Sequence, residues 1–238
     1  MEVFLTTELP ENYDPTQFDR PSVTVDVVIF SFIDNDLKLL LIEREEAPYA
    51  GVLALPGSFV RINESLDDAA TRTLKSEAGL TNVYSEQLYT FGSPKRDPRT
   101  RVITIAYFAL VSHTVIQQHS DKQSTKAIWV SIFDVPDLAF DHGEIANYAL
   151  TRLRYKLEYT SVGFELLPDV FTLTELQRAY EIILEELLDK RNFRRKILSA
   201  KILKETGKKK KDGEGRPAKL YQYRDDAIAE IKTRRLFP

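Results

Sequence analysis

Between residues 22 and 32 apolar and β-branched side chains follow one another almost without a break, through Val23, Val25, Val27, Val28 and Ile29. A short run of this kind predicts a buried strand. Asn35-Asp36 is a turn signal, and 37–43 reads as a returning strand. A short apolar segment at 51–57 ends in Pro56-Gly57. The periodicity then becomes helical over 65–78, and Gly79 supplies the stop. Further strands are expected at 86–91, 102–111 and 126–130, and 138–157 reads as mostly helical. Strands mixed with a few helices predict an α/β, or α+β, domain over 20–155. The first 20 residues, rich in Pro, Asn, Asp and Thr, read as an irregular lead-in.

The pattern changes after residue 160. Thr172 with Glu175 three residues on is a capping box, and Phe171 and Leu176 stand where a hydrophobic staple places its pair. Leu173, Leu176, Tyr180, Ile183, Leu184 and Leu187 continue at helical spacing. Asp189 is suited to cap a second helix. A strand at 201–206, a Gly- and Lys-rich tip at 207–215 and a strand at 219–224 follow. Helix, short turn, helix and hairpin is the order of a winged helix-turn-helix, predicted over 160–225.

Charge sharpens this division. Residues 1–170 hold 15 Lys and Arg against 25 Asp and Glu, whereas residues 171–238 hold 18 against 11. The basic half therefore faces a polyanion. In the second of its helices Phe193 and Ile197 share an inner face, which turns Arg191 and Arg195 outward with Asn192 and Arg194 beside them. Lys190 opens that helix, and Lys208, Lys209, Lys210, Lys211, Arg216 and Lys219 surround the hairpin tip. Arg and Asn can read guanine and adenine edges, and lysines grip phosphates. An RNA-binding role is disfavoured because no aromatic stacking platform stands out. Cysteine is absent and the three histidines form no close pair, so no zinc site or disulfide is expected. No membrane span or signal peptide is evident, and a cytoplasmic protein without membrane partners is expected.

The stretch from Leu55-Pro56-Gly57-Ser58 through Glu64 to Arg72-Thr73-Leu74-Lys75-Ser76-Glu77-Ala78-Gly79-Leu80 resembles the Nudix box. Glu64, Arg72, Leu74, Glu77, Gly79 and Leu80 agree with it, while Ser58 replaces a glycine, and Thr73 and Ser76 replace glutamates. Positions 73, 76 and 77 share one helix face, where carboxylates could hold Mg²⁺ against a diphosphate. With only Glu77 left there, no metal site and no hydrolysis are expected. Candidate ligand-binding residues are Arg44, Arg61, Glu64, Arg72, Glu77, Arg96, Asp97 and Arg99. Glu64 and Arg72 also suit a purely structural ion pair.

The Phe91-Gly92-Ser93-Pro94-Lys95-Arg96-Asp97-Pro98-Arg99 loop, the segment from Asp189 to Ile197 and Gly215-Arg216-Pro217-Ala218-Lys219-Leu220-Tyr221 together resemble the NrtR family of Nudix-related regulators. The resemblance spans nearly the whole chain. Leu53, where many Nudix relatives have Trp, and Ser58 depart from it. It implies a homodimeric repressor of NAD biosynthesis or salvage genes. Such a repressor binds a pseudo-palindromic operator, requires no cofactor and is released by ADP-ribose or a related nucleotide. The alternative is an active ADP-ribose pyrophosphatase carrying a nucleic-acid-binding appendage.

Overall fold

The computed structural model describes residues 14–119, 127–159, 162–211 and 217–224. Its centre is β1 (Ser22–Ile33), buried without interruption from Val25 to Ser31. β1 runs parallel to β6 (Val102–Val111) from Ser22 opposite Val102 to Ser31 opposite Val111. A parallel pair at the centre of a sheet needs cover on both faces, which explains the near-continuous apolar run. Val25, Val27 and Ile29 pack with Ala69, Ala70 and Leu74 of α1 (Leu66–Ala78). Val28 and Phe30, on the other face, join a core containing Ile145, Ala149 and Leu153 of α3 (His142–Tyr159). The mixed sheet is completed on one side by β5 (Tyr84–Phe91), antiparallel to β6, and on the other by β2 (Asp36–Glu43). β7 (Ala127–Ser131) lies along β2.

One feature of the sheet places the cleft. β1 and β2 pair only between 30–33 and 36–39, and then diverge. The short β3 (Leu53–Ala54) follows β2 and β4 (Gly57–Phe59) follows β1 into the fork. There Val27 N–H donates to Pro56 O at 2.8 Å. The helix after this fork has its expected start and stop. Ser65 and Asp68 form a capping box, and Gly79 closes α1 at φ 67°. That conformation lets the Gly79 N–H reach Leu74 O. The short α2 (His113–His119) follows β6.

The C-terminal unit follows the expected order. Thr172 and Glu175 cap α4 (Leu173–Leu184), Asp189 caps α5 (Lys190–Ser199), and β9 (Leu203–Lys210) pairs with β10 (Ala218–Tyr223). The two-residue β8 (Phe171–Thr172) adds a third strand beside β10. Phe171 and Leu176 are both buried, as a staple requires.

Several boundaries differ from the expectation. The 138–141 segment is not helical, because Ala139 N–H is tied to Leu53 O at 2.9 Å and Phe140 adopts φ 56°. Leu187 does not continue the apolar face of α4: Glu185 turns left-handed at φ 55°, and Leu187 stands 95% exposed in the turn. Lys208, Lys209 and Lys210 belong to β9 rather than the hairpin tip, since Lys209 and Lys210 pair with Lys219 and Ala218. Gly207, at φ 74°, accompanies the irregular register in this part of the ladder. Lys126, Gly213, Gly215, Arg216 and the first 13 residues lie outside the described residues.

A single apolar cluster runs from Val28 and Phe30 through α3 to Leu176, Tyr180 and Ile183 of α4, and on to Phe193 and Ile197 of α5. The fully buried Leu153 lies within it. Leu153→Ala is expected to lower stability by about 2–5 kcal/mol in urea unfolding. A loss below about 1 kcal/mol would show that this contact is not a structural joint.

Candidate functional site: a closed Nudix cleft joined to a winged helix

The floor of the cleft is a buried charge cluster. Asp26 interrupts the apolar run of β1 and faces the fork, where Arg96 and Asp141 meet it. Arg96 donates to Asp141 through Nε and Nη2, at 2.9 and 2.7 Å, and through Nη2 to Asp26 at 3.2 Å. Burial works against the Arg96 charge, but the Asp141 hydrogen bonds and the charge of Asp26 overcome it and raise its pKa. Gly57 is required here, since a Cβ at this position would stand 2.2 Å from Asp26 Oδ1 and 3.2 Å from Val25 O. His142, at the start of α3, accepts from Leu55 N–H through Nδ1 at 2.9 Å, leaving Nε2 directed towards Asp26 at 3.7 Å. Burial pushes its pKa below the ordinary 6.5, so the ring is neutral at pH 7.

Above this floor, Arg44 and Arg99 flank one aromatic ring. Their guanidinium carbons lie 4.8 and 5.6 Å from the centre of Phe140, and Phe59 lies 5.9 Å from Arg99. Asp97 orients Arg99 by accepting from its Nε at 3.0 Å and Nη2 at 2.7 Å, which holds the Asp97 carboxyl below its usual range. Arg44 is steadied by Pro48 O at 2.9 Å and Glu46 O at 3.2 Å. These groups line a cavity of about 240 Å³. It shares Arg44, Glu46, Leu55 and Gly57 with a second cavity of about 430 Å³ that reaches Glu77. The second falls within the size range of pockets that hold small molecules, and the two adjoin.

Arg44, Arg96, Asp97 and Arg99 are thus brought together, with Glu77 next door. Arg61, Glu64 and Arg72 are placed elsewhere and line neither cavity. Arg72 grips both Glu64 oxygens, at 3.0 and 2.5 Å, and donates to Phe59 O at 3.0 Å. Glu64 also accepts the Arg61 N–H at 2.8 Å while the Arg61 side chain is exposed. This pair ties the loop to α1 and keeps the Glu64 carboxylate out of both cavities. Arg96 is likewise committed to its two carboxylates and supports the floor. Asp26, Phe59, Phe140, Asp141 and His142 were missed by motif spacing. The one local signal was Asp26, a charge inside an apolar strand.

The metal-facing positions do not fit a Mg²⁺ ion. Thr73 is fully buried, donates to Ala69 O at 2.8 Å and meets the Ser58 hydroxyl at 2.6 Å. Ser76 stays within hydrogen-bonding reach of Thr73 O and the Glu77 carboxylate. Among the described residues no group of three or more His, Asp or Glu side chains is placed to hold a metal ion.

In the C-terminal unit, Lys190, Arg191, Asn192 and Arg195 are exposed on α5, opposite the buried Phe193 and Ile197. Arg195 donates to Asn192 Oδ1 at 2.6 Å, which pre-orders the two side chains. Arg194 turns instead towards α4 and donates to Thr174 Oγ1 at 3.1 Å, so it braces the helix pair. Lys208, Lys209 and Lys211 are exposed along the wing, while Lys210 pairs with Glu175 at 2.7 Å and Lys219 with Glu205 at 3.0 Å.

A Nudix-like cleft on the same chain as a winged helix defines a class of transcriptional regulator. The profile described as NUDIX domain matches residues 22–150, and the profile described as NrtR DNA-binding winged helix domain matches 163–223. The ADPR responsive transcriptional repressor NtrR of Acinetobacter baylyi is 39% identical over 215 residues, covering 89% of this chain and 85% of the relative. Shewanella oneidensis NrtR complexed with a 27mer DNA is 35% identical with a TM-score of 0.80, covering 90% and 98% of the two chains. The Nudix domain of the same Shewanella protein complexed with ADP ribose is 37% identical with a TM-score of 0.53, covering 60% of this chain and 94% of that one. The chain belongs to the NrtR family of Nudix-related transcriptional regulators.

The Glu64–Arg72 pair has a titration signature. The Arg72 hydrogen bonds and the Arg61 N–H bring the Glu64 carboxyl from its ordinary 4.5 down to about 2. A depressed carboxyl contributes stability that is complete above its unfolded pKa and is lost as pH falls through the folded one. That window runs from about 4.5 to about 2 here. Carbon-detected NMR of Glu64 should give an apparent pKa near the lower figure, and Arg72→Met should return it towards the upper. A wild-type value near 4.5 would contradict the bidentate pairing.

Proposed function

We propose that the protein is a transcriptional repressor of NAD biosynthesis or salvage genes. It binds a pseudo-palindromic operator as a homodimer and is released when ADP-ribose, or a related nucleotide, occupies the Nudix cleft. The observation that carries this reading is the closed Thr73–Ser58 face, which leaves a formed cleft without its metal chemistry on the same chain as an exposed basic helix. The DNA-bound and ADP-ribose-bound relatives support the two ligands. Arg44, Phe140 and Arg99 would receive the nucleotide, with Asp97 and Arg96 holding the geometry. Arg191, Asn192 and Arg195 would read bases, and Lys190, Lys208, Lys209 and Lys211 would meet phosphates. Two copies are required because a two-fold symmetric site presents the same groove twice.

The expected outcome is reciprocal. ADP-ribose should weaken DNA binding, and DNA should weaken ADP-ribose binding by the same factor, typically about 5–150-fold for coupled sites. Fluorescence anisotropy at fixed salt measures both, using a duplex that the wild type enriches from a random library. ADP-ribose affinity that is indifferent to that duplex would remove the sensor role. Incubation with Mg²⁺ and ADP-ribose distinguishes the enzyme alternative: no AMP release above a Glu77→Ala control is expected. Mg²⁺-dependent release lost in that control would establish the hydrolase instead.

The helix assignment has its own test. Arg191→Ala or Arg195→Ala should weaken binding to the selected duplex by about 1–3 kcal/mol per half-site where the side chain reads a base. Lys208→Ala or Lys209→Ala should weaken all sequences alike and flatten the salt dependence. Arginine variants that keep wild-type discrimination between selected and random duplexes would misplace the reading face.

A further inference from the structure

We infer that Arg154 is the positioning residue that couples the nucleotide cleft to the recognition helix, through α3 acting as a rigid connecting rod. This rests on the ligand-released repressor reading and identifies how the release is transmitted.

The rod begins in the cleft floor. Asp141, immediately before α3, holds Arg96, and His142 at its first position accepts Leu55 N–H. Twelve residues on, about 18 Å along the helix axis, Arg154 leaves the Nudix unit. Its Nε donates to Ile183 O at 2.8 Å, and its Nη2 pairs with Glu185. Ile183 O lies in the last turn of α4, where carbonyls lack helical partners and the helix dipole presents negative charge. A guanidinium answers both needs. Glu185 is the left-handed residue that ends α4. Arg154 therefore grips the point at which the chain leaves one helix for the turn into the next.

That turn is itself tied down. Gln177 Nε2 donates to Leu188 O at 2.9 Å, and Leu188 N–H donates to Glu181 Oε1 at 3.0 Å. Leu188 adjoins Asp189, the cap of α5. Polar contacts thus run from Arg96 through Asp141, α3 and Arg154 to the end of α4, and from the turn to the start of the recognition helix. The apolar cluster shared by α3, α4 and α5 runs beside them. Packed helices shift as units of small amplitude, so an altered position of the α3 start in an occupied cleft reaches α5 as a displacement. Neither Arg154 nor Glu185 lines the nucleotide cavities or belongs to the proposed DNA face.

The test compares coupling factors in the full-length protein. ADP-ribose affinity is measured with and without the selected duplex, for wild type, Arg154→Met and Glu185→Gly. Methionine keeps an apolar stem in place of the arginine's. Glycine accepts the φ of 55° at position 185 without strain and removes the side chain that carries the carboxylate. Each variant should bind ADP-ribose alone and duplex alone as the wild type does. The coupling factor should fall by about 2- to 30-fold in Arg154→Met, and by less in Glu185→Gly, where the bond to Ile183 O remains. Wild-type coupling in a folded Arg154→Met protein overturns the inference and leaves the repressor reading intact. Should that variant not fold, Glu185→Gly carries the test: its coupling factor should still fall measurably, and wild-type coupling there overturns the inference. A wild type whose two ligands bind independently removes both the reading and the inference.

Discussion

A guanidinium enclosed by two carboxylates holds the fork of the sheet open. Burying the Arg96 guanidinium is costly without partners, and the carboxylates of Asp26 and Asp141 that meet it offset that cost. Asp141 adds the helix that it directly precedes. The three come from β1, from the loop after β5 and from the lead-in to α3. One buried interaction therefore fixes three segments distant in sequence. Its contribution to stability is small in such cases, because desolvation offsets attraction. Its contribution to geometry is larger: Asp26 leaves no room for a Cβ at position 57 and faces His142, and Asp141 directly precedes α3.

The same cluster explains why the site was only partly legible in the sequence. Helix starts were readable because caps are local: Ser65, Thr172 and Asp189 each act within three residues of themselves. Strands β1 and β6 were readable because a doubly covered strand must be apolar throughout. The roles of Arg96, Glu64 and Arg72 were not, since an arginine's spacing carries no information on whether a carboxylate already occupies it. Glu64 and Arg72 agree with the Nudix box because they hold its loop, and motif agreement alone could not separate holding from binding. Phe140 escaped for another reason. Its left-handed backbone depends on a hydrogen bond from Ala139 to a strand more than eighty residues earlier.

In the C-terminal unit, amphipathic spacing located α5 correctly, yet it could not divide the basic residues by task. Arg194 and Arg195 are neighbours, but one is spent on α4 and the other faces outward beside Asn192. Lys210 and Lys219 are partly neutralised by glutamates across the wing and from α4. The net charge of the half is therefore a poor measure of the charge it offers to a phosphate backbone. What matters is the subset with no acidic neighbour in contact.

The hydrogen bond between Ser58 and Thr73 couples the chemistry of two positions. The two hydroxyls stand at positions where the Nudix box carries a glycine and a glutamate, and they meet at 2.6 Å. A glutamate restored at position 73 alone would meet Ser58, and a glycine restored at position 58 alone would leave the buried Thr73 hydroxyl with one partner fewer. Each single reversal passes through a poorer intermediate. The two positions are therefore mutually dependent, so that a change of chemistry at one is felt directly at the other.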